Sequence, residues 1–163
     1  MPVIRGDRFV KDEFVAVPDG EEIPAASHPI VSLARFQKER EGLLARGATF
    51  GVRLKASDNP ATLKDDLAKI ALIEIEFPTF RDGRGFSWAR MLRTRFGFKG
   101  EIRAVGHFLY DQLAFMVRTG FDAFEVRQDF QEKDFARAMR EIRFFYQPSA
   151  DGKKTIRELR ASK

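Results

Sequence analysis

The chain contains no cysteine, only two histidines, one tryptophan and two tyrosines in 163 residues. The missing thiol excludes disulfides, thiol redox chemistry, thiolate nucleophiles and Cys-ligated zinc or iron–sulfur clusters. His28 and His107 lie far apart in sequence, so no metal site is expected. No apolar run approaches the ~20 residues that a membrane-spanning helix needs. The opening stretch MPVIRGDRFVKDE lacks the apolar core of a secretory signal. These absences predict a cytoplasmic protein with no membrane segment and no intrinsic cofactor; a non-covalently held flavin is the one redox group that the composition leaves open.

What is present is an ordinary globular composition, 44% hydrophobic and 33% charged. A chain of this length buries a sizeable core but falls short of the roughly 200 residues of a full eight-unit barrel. The net charge is +5, and it is concentrated. Between Arg81 and Arg103 stand seven basic residues against Asp82 and Glu101, and the remainder is neutral. Arginine outnumbers lysine, 19 to 10, and its planar fork suits oxyanions and carboxylates.

Residues 1–30 read as a small β appendage and linker. Phe9-Val10 and Phe14–Val17 are strand candidates, Pro18-Asp19-Gly20 is a turn, and Pro24 and Pro29 interrupt the linker. Residues 31–146 read as an α/β domain. Ser32 caps a helix to about Arg46, and a βα rhythm then appears four times. The expected strands are 50–56, 72–77, 101–106 and 121–126. The expected helices follow Asn59-Pro60, begin near Ser87, run 108–119 and start at an Asp129/Glu132 capping box. Residues 147–163 form a basic tail that is expected to be loosely held.

Alternation of strand and helix predicts a parallel sheet. Within three strands, apolar residues alternate with charged ones: Val52 and Leu54 against Arg53 and Lys55, Ile73 and Ile75 against Glu74 and Glu76, Ile102 and Ala104 against Arg103. A doubly wound sheet, covered on both faces, gives continuous apolar runs instead. The pattern therefore predicts an open, half-barrel-like sheet with helices on one face; a flavodoxin-like doubly wound sheet is the alternative. The charged face is expected to be covered by the N-terminal segment, a second copy or a partner. Thirteen of the 17 phenylalanines lie at or after Phe77, at positions that suit core packing.

Three groups of residues are candidates for chemistry. The stretch 77–90 leaves the carboxyl end of a strand, turns at Asp82-Gly83 and enters a helix. Arg81, Arg84, Gly85 and Ser87 would there form an oxyanion site. With Asp82, Gly83, Arg90 and Arg93 the same stretch would form a docking patch for an acidic partner. It also reads as a structural turn capped by Asp82. His107, at the same predicted rim, is a general acid–base candidate. On the charged face, Lys55 is a candidate base or Schiff-base amine, with Glu74 and Glu76 handling protons; the plainer reading is an ion ladder between strands. Clustered arginine also admits nucleic acid, but no recognition motif supports it.

One resemblance is carried by Phe77-Pro78-x-Phe80-x-Asp82-Gly83-Arg84, then Ser87, Ala89-Arg90, Leu92-Arg93 and Arg95. It continues through Gly97-Phe98-x-Gly100-Glu101-x-Arg103-Ala104-x-Gly106, Asp111-Gln112 and Arg118-x-Gly120-Phe121-Asp122-Ala123-Phe124. This resembles a bacterial family of unknown function that gene neighbourhood links to assimilatory sulfite reductase. The likeness is closest over residues 51–124. Relatives have a tyrosine where this chain has Phe86. Members are often labelled oxidoreductases of sulfite reduction, and the resemblance implies that pathway. The chain lacks the cysteines that the reductase's iron–sulfur cluster requires, so the expected role is accessory: binding the reductase, its electron donor or an anionic intermediate. The alternative is a small enzyme of sulfur assimilation with an anion site at the strand ends, and a weaker one is a nucleic-acid-binding protein.

Overall fold

The fold is that of a computed structural model describing residues 1–162. Its strands are β1 (Val3–Arg5), β2 (Arg8–Val10), β3 (Phe14–Ala16), β4 (His28–Ser32), β5 (Gly51–Leu54), β6 (Leu72–Phe77), β7 (Glu101–Gly106) and β8 (Ala123–Glu125). Its helices are α1 (Leu33–Ala45), α2 (Arg84–Thr94), α3 (Leu113–Thr119), α4 (Glu132–Glu141) and α5 (Ile156–Ala161). All eight strands join one sheet in the order β2-β1-β8-β7-β6-β5-β4-β3. From β3 to β8 they are parallel and in chain order, while β1 runs antiparallel to both β8 and β2.

Strands that follow one another in chain order are wound in a single direction, and their crossovers fall on one face. A doubly wound sheet reverses its strand order; this one does not, so the half-barrel stands and the flavodoxin-like alternative falls. The curl of the sheet follows from the covalent chain. Eight strands laid flat span about 34 Å between their edges. Yet β2 and β3, the two edges, are joined only by residues 11–13. Four Cα steps reach at most about 14 Å. The sheet therefore bends until its edges approach.

The apolar side chains of the alternation pack under the helices. Val52, Leu54, Ile73, Ile75, Phe77, Ile102 and Ala104 form one buried cluster with Phe36 and Leu43 of α1, Leu92 of α2, Met116 of α3 and Phe135 of α4. A chain of rings runs through it: Phe77–Phe121 at 5.8 Å, Phe121–Phe124 at 6.2 Å and Phe124–Phe135 at 5.6 Å. The late phenylalanines are thus largely core.

Several elements differ from expectation. The N-terminal strands extend the sheet at both of its edges. Strand β4 contains Pro29, which pairs beside Val15 of β3 below the point where β5 begins to pair; a proline is tolerated at such a strand start. After Asn59, whose side chain accepts the Ala61 N–H at 3.0 Å, there are two 3-10 turns instead of an α-helix. Asp66 is drawn to Arg40 of α1 through bonds of 2.7 and 2.6 Å. Helix α2 begins at Arg84, three residues before Ser87. The cap of α4 is formed by Asp134 accepting from the Gln131 N–H at 3.1 Å, not by Asp129 and Glu132. The tail is anchored: Arg118 donates to Asp151 at 3.0 Å and to the Gln147 carbonyl at 2.8 Å. Beyond it, Thr155 and Glu158 cap α5. No helix among the described residues is long and apolar enough to cross a membrane.

Candidate functional site

The face opposite the helices carries a ladder of ions. In register across the sheet lie Ser32, Arg53, Glu74 and Arg103. Arg53 donates through Nε to Glu74 at 2.7 Å. Glu74 also meets Arg103 at 3.5 Å. Arg103 makes a fork with Asp12 at 2.8 and 3.0 Å and a further bond to Glu101 at 3.0 Å. Arg5 then pairs with Glu101. The Phe14 ring lies 5.8 Å from the Arg103 guanidinium. Asp12 of the 11–13 link and Phe14 thus cover Arg103 at the centre of the charged face; of the three covers expected, the N-terminal segment, a second copy or a partner, the first is present.

Arg103 and Glu74 are each 1% exposed. Two buried charges are tolerated only if they are paired and hydrogen-bonded, and here each polar atom of both side chains has a partner. Burial pushes the Glu74 carboxyl above the ordinary glutamate range, although the charges of Arg53 and Arg103 pull the other way. Burial works against the Arg103 charge too, but Asp12, Glu101 and Glu74 together hold its pKa above the usual arginine value. The difference follows the geometry: Arg103 has three carboxylates, whereas its contact with Glu74 is the longest of them. A ligand cannot reach Glu74 without displacing this set, so Glu74 is fixed in the ladder.

At the carboxyl ends of the strands the ladder gives way to an open cleft of about 290 Å³. Lys55, Glu76, Arg53, Ser32 and Asp19 line it. Lys55 is exposed and Glu76 half-buried. His107 follows β7 at the same rim; its backbone N–H donates to the Phe77 carbonyl at 2.8 Å and the residue is exposed.

The loop leaving β6 is the next part of the rim. Arg81 is exposed, with its guanidinium 5.5 Å from the Phe80 ring centroid. Asp82 accepts from the Arg84 backbone N–H at 3.2 Å and from its guanidinium at 3.0 and 2.7 Å. That pairing holds the Asp82 carboxyl below the usual range. The start of α2 therefore already holds an anion, Asp82, in the place proposed for an oxyanion. Gly83 is the residue before α2, and Gly85 is buried against the core: a Cβ there would stand 2.6 Å from the Phe77 ring and 3.1 Å from Ile75. Ser87 and Arg90 are exposed. With Arg84 they recur at the three-residue spacing of one helix face.

Arg93 does not join that face. Its guanidinium donates to the carbonyls of Phe98 and Gly100, both at 2.8 Å, and of Gly120 at 3.0 Å, and pairs with Asp122. It ties together the segments leading into β7 and β8, at the amino ends of the strands. The basic run of the sequence is thus split three ways, between the rim, the base of the sheet and the buried ladder.

One feature of the rim escaped sequence reasoning. Gln112 accepts from the Leu109 N–H and donates to the Phe80 carbonyl, each at 2.9 Å. It joins the loop after β6 to the loop after β7. Phe80 and Leu109, each 44% exposed, stand beside this tie. Near it a cavity of about 430 Å³ is lined by Phe108, Tyr110, Phe130 and Arg137. The Tyr110 hydroxyl accepts from Arg137 and donates to Glu141, both at 2.9 Å.

Comparison with curated proteins gives no match. The family model described as bacterial protein of unknown function, DUF934, matches residues 51–157. That span takes in β5 to β8, the β6 loop, Gln112 and the part of the tail that Arg118 anchors, and the chain belongs to this bacterial family.

Proposed function

We propose that the chain is an accessory, docking protein of assimilatory sulfite reduction that binds the acidic surface of the reductase or of its electron donor. The pathway comes from the family resemblance carried by residues 77–124. The docking role rests on one observation: the exposed Phe80, Arg81 and Leu109 are held on a braced rim by the Gln112 tie. Aromatic side chains and arginine are the residues enriched in protein interfaces. Arg90 extends the rim along the outer face of α2 and, with Arg81, gives it the sign that would steer an acidic partner, whereas the Arg84 charge is spent on Asp82. The buried ion ladder is internally satisfied, which favours binding over catalysis by Glu74.

The test is a tagged pull-down from cells grown on sulfate. The wild-type chain should recover the reductase or its electron donor, and Arg81→Glu combined with Arg90→Glu should lose that recovery while melting as the wild type does. Equal recovery by the reversed-charge chain would contradict the docking role. A second reading, a small enzyme acting at the strand ends, is favoured only by the cleft around Lys55 and Glu76.

A further inference from the structure

The cleft above the ladder is built from groups that the docking surface does not use. Arg53 spends Nε on Glu74, and no other hydrogen bond of its guanidinium is found among the described residues. Its side chain is 35% exposed and lines the cleft. Lys55 lines the same cleft and makes no ion pair within 4.0 Å among the described residues. Facing these cations are two carboxylates: Glu76, and Asp19, which accepts from the Ser32 hydroxyl at 2.7 Å. Ala16, Val17 and Ile30 supply apolar wall. Ser32 is also the N-cap of α1, its hydroxyl accepting the Arg35 N–H at 3.0 Å.

Both signs of charge are therefore presented: cations on β5 and at the residue after it, and carboxylates on β6 and on the turn after β3. A bare inorganic oxyanion would meet Arg53 and Lys55, but it would also sit against Glu76 and Asp19. A simple cation would meet the reverse. A molecule with a carboxylate and an ammonium group a few bonds apart satisfies both. The cleft's ~290 Å³ is roughly ten times the ~30 Å³ share of a liquid water, which suits a ligand of amino-acid size. The position, at the carboxyl ends of parallel strands, is where such folds place ligands. We infer that this cleft is a binding site for a small zwitterion of the α-amino-acid class. Its carboxylate lies on the Arg53 fork and Lys55, and its ammonium on Glu76 and Asp19.

The inference stands apart from the docking role, and its test does not use a protein partner. Backbone amide shifts of the full 163-residue chain would be followed by NMR during titration with L-serine and with L-aspartate. Propionate, propylamine and sulfate serve as probes that each carry one sign of charge only. At least one amino acid should give saturable shifts at Ser32, Arg53 and Glu76, at least about tenfold tighter than any single-charge probe. Lys55→Gln and Glu76→Gln, both outside the buried ladder, should each weaken that binding about tenfold or more while leaving the melting temperature unchanged. The inference is overturned if neither amino acid gives saturable shifts in the millimolar range. It is equally overturned if propionate or sulfate binds as tightly, or if the two variants bind as wild type does.

Discussion

Arg103, near the middle of the sheet, and Asp12, in the short link between its two edge strands, hold each other through a two-bond fork of 2.8 and 3.0 Å. The contact joins residues that are 91 positions apart in the chain. It places an otherwise buried guanidinium against a carboxylate that reaches solvent, 30% exposed. The link that closes the curl of the sheet thus also completes the ion ladder.

Asp12→Ala should therefore destabilise the fold by about 2 kcal/mol, the loss of charge-assisted hydrogen bonds to a buried partner. Asp12→Asn, which keeps an acceptor, should cost less. Urea denaturation of the three chains checks this; a cost indistinguishable from zero for the alanine variant would show that Glu101 and Glu74 suffice for Arg103.

Glu74 gives stability a defined pH dependence. Its folded pKa is raised above its unfolded value by burial. A group shifted in that direction favours folding fully below the unfolded pKa and loses that contribution as pH rises through the folded pKa. Glu74→Gln mimics the protonated side chain. Relative to wild type it should gain stability between acid pH and neutrality. Denaturation midpoints of both chains across that range measure the sign; a relative loss toward neutrality would mean that Arg53 and Arg103 outweigh burial.

Gly85→Ala should cost about 1–3 kcal/mol by overpacking. The added methyl would meet the Phe77 ring at 2.6 Å in a site where Ile75 closes the other side. A melting temperature unchanged from wild type would show that α2 lifts away from β6 freely. The glycine had suggested close approach of an anion; in the structure it permits close approach of the helix to the sheet.

Two arginines that look alike in sequence should behave differently. Arg93→Ala removes the donor for three carbonyls and should destabilise by about 2 kcal/mol or more. Arg84→Ala breaks an exposed pair with Asp82, and exposed pairs are worth about 0–1 kcal/mol. Thermal melts of both variants test the contrast, and equal effects would contradict it.

Much of the sheet was legible because its side chains alternate. The period-two pattern of Arg53, Glu74 and Arg103 against their apolar neighbours placed the ladder on one face and the helices on the other. Strands 72–77 and 101–106 coincide with β6 and β7. Strand β4 was hidden by Pro29, because whether a proline ends a strand or begins one depends on which neighbours pair beside it. The tail carries a readable sign, Thr155 three residues before Glu158, but its polar composition masks it. The Gln112 tie had no sequence signal, since it joins loops 32 residues apart. The basic run misled most. Linear density of arginine does not say which way each side chain points, and here Arg93, expected in the docking patch, turns to the base of the sheet.

Under the proposed docking role, Arg81 and Arg90 of the rim serve binding, and the inward Arg93 and Arg103 serve the fold. That division is tested most directly by growth on sulfate of cells whose own copy is replaced by the Arg81→Glu, Arg90→Glu chain, with its folding verified by circular dichroism. The expected result is a folded protein that fails to support wild-type growth; growth equal to wild type would contradict the division.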